Sequence, residues 1–148
     1  MLSGRLVHVI ETHGDQIVNR VVQSIRHDPE MAPARPLLER EVRDWGEGLL
    51  QNLGHWLSSE GKEDLARRYE RLGRQLLEEE VPLDEALHGL FLIREKALDC
   101  LEEQIFTKTN VELYAEEELD RQMGRFFDAL AIHMVRGYER ARKEAAVA

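Results

Sequence analysis

Histidine and carboxylate are the side chains here with the widest range of possible chemistry, and their spacing limits what that chemistry can be. The six histidines, His8, His13, His27, His55, His88 and His133, are candidate metal or haem ligands. Two imidazoles on one helix converge on an ion when they lie four residues apart, and no such pair occurs; His8 and His13 are five apart, off a common line. Glu85-Ala86-Leu87-His88 matches the Glu-x-x-His element of di-iron bundles, in which the two side chains face the same way. It occurs once, whereas a di-iron site needs a second copy and two further inward glutamates. Asp84 and Glu85 are also what a helix start attracts through its dipole, so His88 reads as structural or solvent-exposed.

The runs Glu78-Glu79-Glu80 and Glu116-Glu117-Glu118 resemble calcium or magnesium sites in composition only. Successive helical residues fan out by about 100°, so each run reads as a solvated face. The candidate nucleophiles are Ser3, Ser24, Ser58, Ser59 and Cys100, and none lies in a Gly-x-Ser-x-Gly elbow. Cys100 is the single cysteine; between Leu98 and Leu101 it reads as a buried, inert thiol. The sequence therefore predicts no catalytic residue, no metal and no cofactor.

Glycine and aromatic positions point to a different use. Gly46, Gly48, Gly54, Gly73, Gly89, Gly124 and Gly137 fall inside helical patterns, where each costs about 1 kcal/mol relative to alanine. Close helix crossing is one compensation, and a small-molecule cavity beside Trp45, Trp56 and Tyr69 is the other. Arg94 interrupts an apolar stripe and needs either a buried carboxylate or a ligand, so it joins that candidate cavity.

The elements that would position these residues are all helical. Apolar residues recur at three- and four-residue steps, and no stretch keeps the period-two alternation of a strand. Leu6, Ile10, Ile17, Val21 and Ile25 mark a first helix over about 3–27, ended by the proline-rich segment 28–36. Pro36 opens a second, with Leu38, Val42, Trp45, Leu49, Leu53, Trp56 and Leu57, to about Ser58. Gly61 separates it from a third, carrying Leu65, Tyr69, Leu72 and Leu76 as far as Glu80. Pro82 starts a fourth, with Leu83, Leu87, Leu90, Phe91, Ala97, Leu98, Leu101 and Ile105, ending near Lys108. Thr109-Asn110-Val111-Glu112 reads as a capping box for a fifth.

The last stripe is Leu113, Leu119, Met123, Phe126, Phe127, Leu130, Met134 and Tyr138, on a helix of about 50 Å. That is longer than a domain of 148 residues covers, so Met123, Phe127, Leu130, Met134 and Tyr138 are expected to meet a second subunit in a homodimer. No repeat or change in composition divides residues 1–148, and one helical sensory or interaction domain is expected. A formal charge of -9 and a pI near 5.2 repel nucleic acid and anionic lipid. The arginines near the end, Arg136, Arg140 and Arg142 with Lys143, suit a helix C-terminus without any partner. No apolar run reaches the ~20 residues of a membrane span, so the expected location is the cytoplasm.

The block Ala66-Arg67-Arg68-Tyr69-Glu70-Arg71-Leu72-Gly73-Arg74-Gln75, followed by Val81-Pro82-Leu83-Asp84-Glu85-Ala86-Leu87 and Leu92-Ile93-Arg94-Glu95, carries a family resemblance. It resembles the N-terminal domain of RsbR-type stressosome proteins, the RsbT co-antagonists, also found in front of sensor kinases. The resemblance implies a dimeric, non-enzymatic sensory domain related to non-haem globins, which passes a signal through its last helix to a downstream signalling protein. It further implies that the five helices correspond to globin A, B, E, G and H. The helix bearing the proximal histidine is then missing, and Lys62 to Glu80 holds no distal histidine, so haem is disfavoured. The family's STAS output domain has no counterpart in the sequence, and partner switching with a kinase does not carry over. A small-ligand or haem-binding sensor with a bundle cavity is the alternative reading.

Overall fold

The computed structural model describes residues 2–58, 61–104 and 109–147, with the side chains of all but 2, 3 and 32–35. Every described element is helical: α1 (Leu2–Thr12), α2 (Gly14–Arg26), a 3-10 segment (Pro29–Ala34), α3 (Arg35–Gln51), α4 (Leu53–Leu57), α5 (Lys62–Glu78), α6 (Leu83–Gln104) and α7 (Asn110–Val147). The all-α expectation holds, and the count of five is corrected to seven α-helices among the described residues. Ser59 and the expected end of the fourth helix, from Ile105 to Lys108, lie outside the described residues.

Both extra breaks come from side chains that compete for backbone carbonyls. At the α1–α2 break the Thr12 hydroxyl donates to the carbonyls of His8 (3.0 Å) and Val9 (3.1 Å), and the His13 ring lies 2.8 Å from the Val9 oxygen. Such back-bonding pulls carbonyls out of the helical ladder and bends the chain. At the α3–α4 break Asn52 Nδ2 donates to the Gly48 carbonyl at 3.2 Å, and Trp56 Nε1 reaches the same oxygen at 3.4 Å. The short α4 is thereby re-aimed, and the Gly54 amide donates to the Glu11 carboxylate of α1 at 3.1 Å.

The other boundaries follow from local chemistry. Thr109 Oγ1 accepts the Glu112 amide at 3.2 Å, the first half of the expected capping box. At the end of α5 the Val81 amide bonds back to Leu76 O (2.9 Å) and the Glu80 amide to Leu77 O (3.1 Å), a Schellman closure with buried Val81 as its apolar plug. Glu80 takes the left-handed position there, with φ 59°.

Helix α2 is the most buried; Ile17, Val18, Val21, Val22 and Ile25 are wholly enclosed. It runs antiparallel to α3, with Gly14 beside Leu50 at one end and Arg26 bonded to Glu39 at the other. Helix α6 crosses both, placing Ile93 against Gly46 and Gly89 against Val42. The most extensive helix pair is α5 with α7. These two run in the same direction, Glu70 meeting His133 and Arg74 meeting Glu144, and α6 returns the chain between them. A Cβ on Gly73 would overlap the Met134 carbonyl, and one on Gly137 would overlap the Glu70 carbonyl. Close crossing therefore accounts for these two glycines; beside Gly48 and Gly124 there is open space.

The expected use of the last apolar stripe is corrected. Met123, Phe127, Leu130 and Met134 are buried within the one chain, under α5, α1 and α6, and Tyr138 is half-buried against the same core. The α5–α7 crossing is so close that this stripe is consumed inside the subunit. No described helix is long and apolar enough to cross a membrane.

Candidate functional site

A groove of about 420 Å³ lies between α3–α4 and the start and middle of α5. Trp45 and Trp56, the two tryptophans of the chain, line it together with Tyr69, so the structure brings together three of the four residues expected to form a cavity. Leu49 follows Trp45 by four residues and Trp56 follows Leu49 by seven, while Tyr69 and Leu72 follow Leu65 by four and seven, so two apolar stripes turn toward each other. Trp45 meets Tyr69 edge to face at 6.5 Å between ring centroids. The Arg68 guanidinium lies over the Trp56 ring at 5.1 Å while its Nε donates to Asp64 at 3.1 Å.

Two polar atoms of this wall are buried without a hydrogen-bond partner, Trp45 Nε1 and Tyr69 Oη. Burial pushes the Tyr69 hydroxyl up from its ordinary range, so it stays protonated and can donate. Each orphaned donor costs about 1–3 kcal/mol when left unpaired, a cost that an acceptor atom seated beside it would relieve.

Arg94 is not part of this groove. The core position on that turn of α6 is Ile93, and Arg94 is half-exposed on the far side, its guanidinium 5.3 Å from the Phe91 ring centre. The apolar stripe passes one residue to the side of it, which one-dimensional spacing left open.

The groove's most distinctive polar feature was not singled out by spacing. Glu41 sits between Leu38 and Trp45 on the buried stripe of α3 and is 4% exposed. Its Oε1 accepts from Gln75 Nε2 at 3.1 Å, and the same nitrogen donates to Glu79 Oε1 at 3.0 Å. Burial, then the hydrogen bond and charge of Glu79, then Asp44, raise the Glu41 carboxyl to about 7, against a smaller opposing pull from Arg40. Glu79, expected on a solvated face, has one carboxylate oxygen buried and unpartnered. The sequence signal for both was a carboxylate inside an apolar stripe.

The remaining candidates are separate from one another. His13 and His27 bond to the carbonyls of Val9 and Gln23, His133 faces Glu70 at 3.1 Å, and His88 lies 3.8 Å from Asp28. Glu85 turns inward and is buried; desolvation, with Asp84 and Asp28 adding to it, raises its pKa. Among the described residues no three histidine, cysteine or carboxylate side chains gather as a metal site. Cys100 is buried, and burial raises its thiol above the ordinary value.

The described residues thus form an all-helical bundle with an aromatic groove between α3–α4 and α5. Residues 15–148 match the RsbT co-antagonist protein rsbRD N-terminal domain, and the chain belongs to that family. Membership makes a stressosome-associated regulatory domain the coarse reading of the chain, with protein partners implied. No curated protein and no solved structure matches it.

Proposed function

We propose that this chain is a non-enzymatic sensory domain that forms a homodimer and relays a signal along α7 to a downstream signalling protein. The observation that carries this reading is the locking of α5 to α7. Glycine at 73 and 137 lets the two backbones touch, while Glu70 accepts from Arg140 at 3.0 Å and lies 3.1 Å from the His133 ring nitrogen. A change in the groove on one side of α5 thus acts on a helix that cannot shift without α7. Dimerisation is assigned to the outer face of α7, where Tyr114 and Ile132 are 72% and 50% exposed. They lie 18 residues, five full turns, apart and so on one line. Sedimentation at tens of micromolar tests the pairing, a dimer being expected; a monomer at that concentration, in the range of ordinary weak association, overturns it.

A second reading, a small-ligand sensor, is favoured by the orphaned Trp45 and Tyr69 donors in the groove wall. In this reading the bundle is a haemless relative of the globins, as the family resemblance implies. Titration with anilinonaphthalene sulfonate is expected to quench both tryptophans by energy transfer, and unquenched emission removes the reading. A Soret band on adding haem would instead bring back the haem alternative.

A further inference from the structure

The groove has an unusual construction: α5 packs chiefly on α7, and it meets α3 through side chains that bridge the gap. Two such bridges stand out among the described residues. One is the edge of Trp45 on Tyr69, and the other is Glu41, Gln75 and Glu79. The second joins the buried carboxyl of Glu41 on α3 to that of Glu79 at the C-terminal cap of α5, through one amide that donates to both. An amide nitrogen can supply both of these bonds, but it cannot neutralise two anions.

We propose that the Glu41–Gln75–Glu79 bridge is a proton-operated clamp, closed when a proton is shared between the two carboxyls and opened when that proton leaves, so that acidity sets the width of the groove between α3 and α5. The clamp goes beyond the sensory reading by naming its regulation, and it holds whether or not the chain dimerises or takes a small ligand.

The charges around the clamp favour the closed form near neutrality. Glu79 of α5 and Asp44 of α3 both resist ionisation of Glu41, and Arg40 of α3 only partly offsets them. Arg71 and Arg68 of α5 line the same groove one and two turns before Gln75, and Arg68 is engaged by Asp64 and Trp56. Each carboxylate oxygen accepts hydrogen bonds, so two ionised groups in contact repel, whereas one neutral carboxyl donates its O–H to the other. With Glu41 raised to about 7, the proton is held through the mildly acidic range and lost just above neutrality. Its loss leaves a buried anion facing another, which drives the last turn of α5 from α3 and admits water to the groove. The Schellman closure at Glu80 makes that turn the end of α5, so it can move without dragging a continuous helix.

A carboxyl whose folded pKa is raised binds its proton more tightly when folded, so its contribution is complete below the ordinary carboxylate value near 4.5 and is lost as pH climbs through about 7.

Both tryptophans line the groove, so their emission reports its opening. In the full chain, tryptophan emission and the carbon-13 shift of the Glu41 carboxyl should follow one titration with a midpoint near 7. In Glu41→Gln the emission titration should vanish, the groove staying closed at pH 8. In Glu79→Gln the Glu41 midpoint should move down, since the like charge is gone. The protection of amides 75–79 against hydrogen exchange, taken relative to the base-catalysed rate of the unfolded chain at each pH, should fall above pH 7 in the parent chain and stay constant in Glu41→Gln. A Glu41 carboxyl that titrates in the ordinary range overturns the clamp, as does an emission curve identical in parent and Glu41→Gln. If Glu41→Gln does not fold, an unchanged Glu41 midpoint in Glu79→Gln overturns it equally.

Discussion

At the scale of single residues, Glu70 carries more of the α5–α7 interface than its half-exposed position suggests. Its two oxygens are divided between Arg140 and His133, both on α7. Although partial burial opposes ionisation, the hydrogen bonds from His133 and Arg140 outweigh it and hold the carboxyl below its ordinary value. A lowered carboxylate stabilises the fold above the usual carboxylate range and loses that contribution as pH falls through its folded pKa. Glu70→Gln should therefore reduce stability at pH 7 by on the order of 1 kcal/mol, a figure kept small because Arg140 is largely solvated. The loss relative to the parent chain should shrink as the pH of a urea titration is lowered below 4. An equal loss at pH 7 and pH 3 would show that the interaction is not ionic. Glu70 and Glu41 thus respond to acid in opposite senses, the first weakening and the second strengthening the contacts of α5.

Among the elements, the helix ends with a chemical marker were legible and the breaks without one were not. Pro82 and the Thr109 capping box mark the starts of α6 and α7, and the proline segment before α3 is where the first long pattern ends. The breaks at His13 and Asn52 arise from side-chain bonds to carbonyls three or four residues back, which leave the apolar period intact and so escape a pattern argument. The glycines separate into two kinds that the sequence could not tell apart, because what matters is the neighbour. Gly137→Ala should cost more than about 3 kcal/mol, since neither backbone at the crossing can yield, whereas Gly124→Ala, facing open space, should gain up to about 1 kcal/mol from helix propensity. Thermal unfolding of the two variants measures the contrast, and similar melting points would refute the close crossing. Glu80 holds a position that glycine fills without steric cost, so Glu80→Gly should stabilise by about 1 kcal/mol in the same measurement.

For the whole molecule, the question is why a chain rich in amphipathic stripes leaves any apolar surface outside. How deeply α7 sinks against α5 is not legible in helical spacing, because the depth is set by two glycines 64 residues apart in the chain, Gly73 and Gly137. Three of the four cavity residues were legible because they belong to stripes that must face one another, while Arg94 and Glu41 depended on a rotation of about one residue about the helix axis. With Met123, Phe127, Leu130 and Met134 enclosed, the large apolar residues left exposed on α7 are Tyr114 and Ile132, with Val111 and Leu113 at its first turn and Val147 at its last residue. Single exposed apolar residues are ordinary on a monomer, but Tyr114 and Ile132 share one line of a long helix with Arg121 and Arg125 between them, which suits an association that remains soluble when apart. Ile132 is half-exposed and stands outside the buried core, so Ile132→Asp should leave the melting temperature within the shift expected of about 0.5 kcal/mol. It should nevertheless convert the sedimenting dimer to a monomer, because a carboxylate on the shared face would be desolvated without a partner. A dimer that survives Ile132→Asp with unchanged affinity would place the contact elsewhere on the molecule and end the role given to this face of α7.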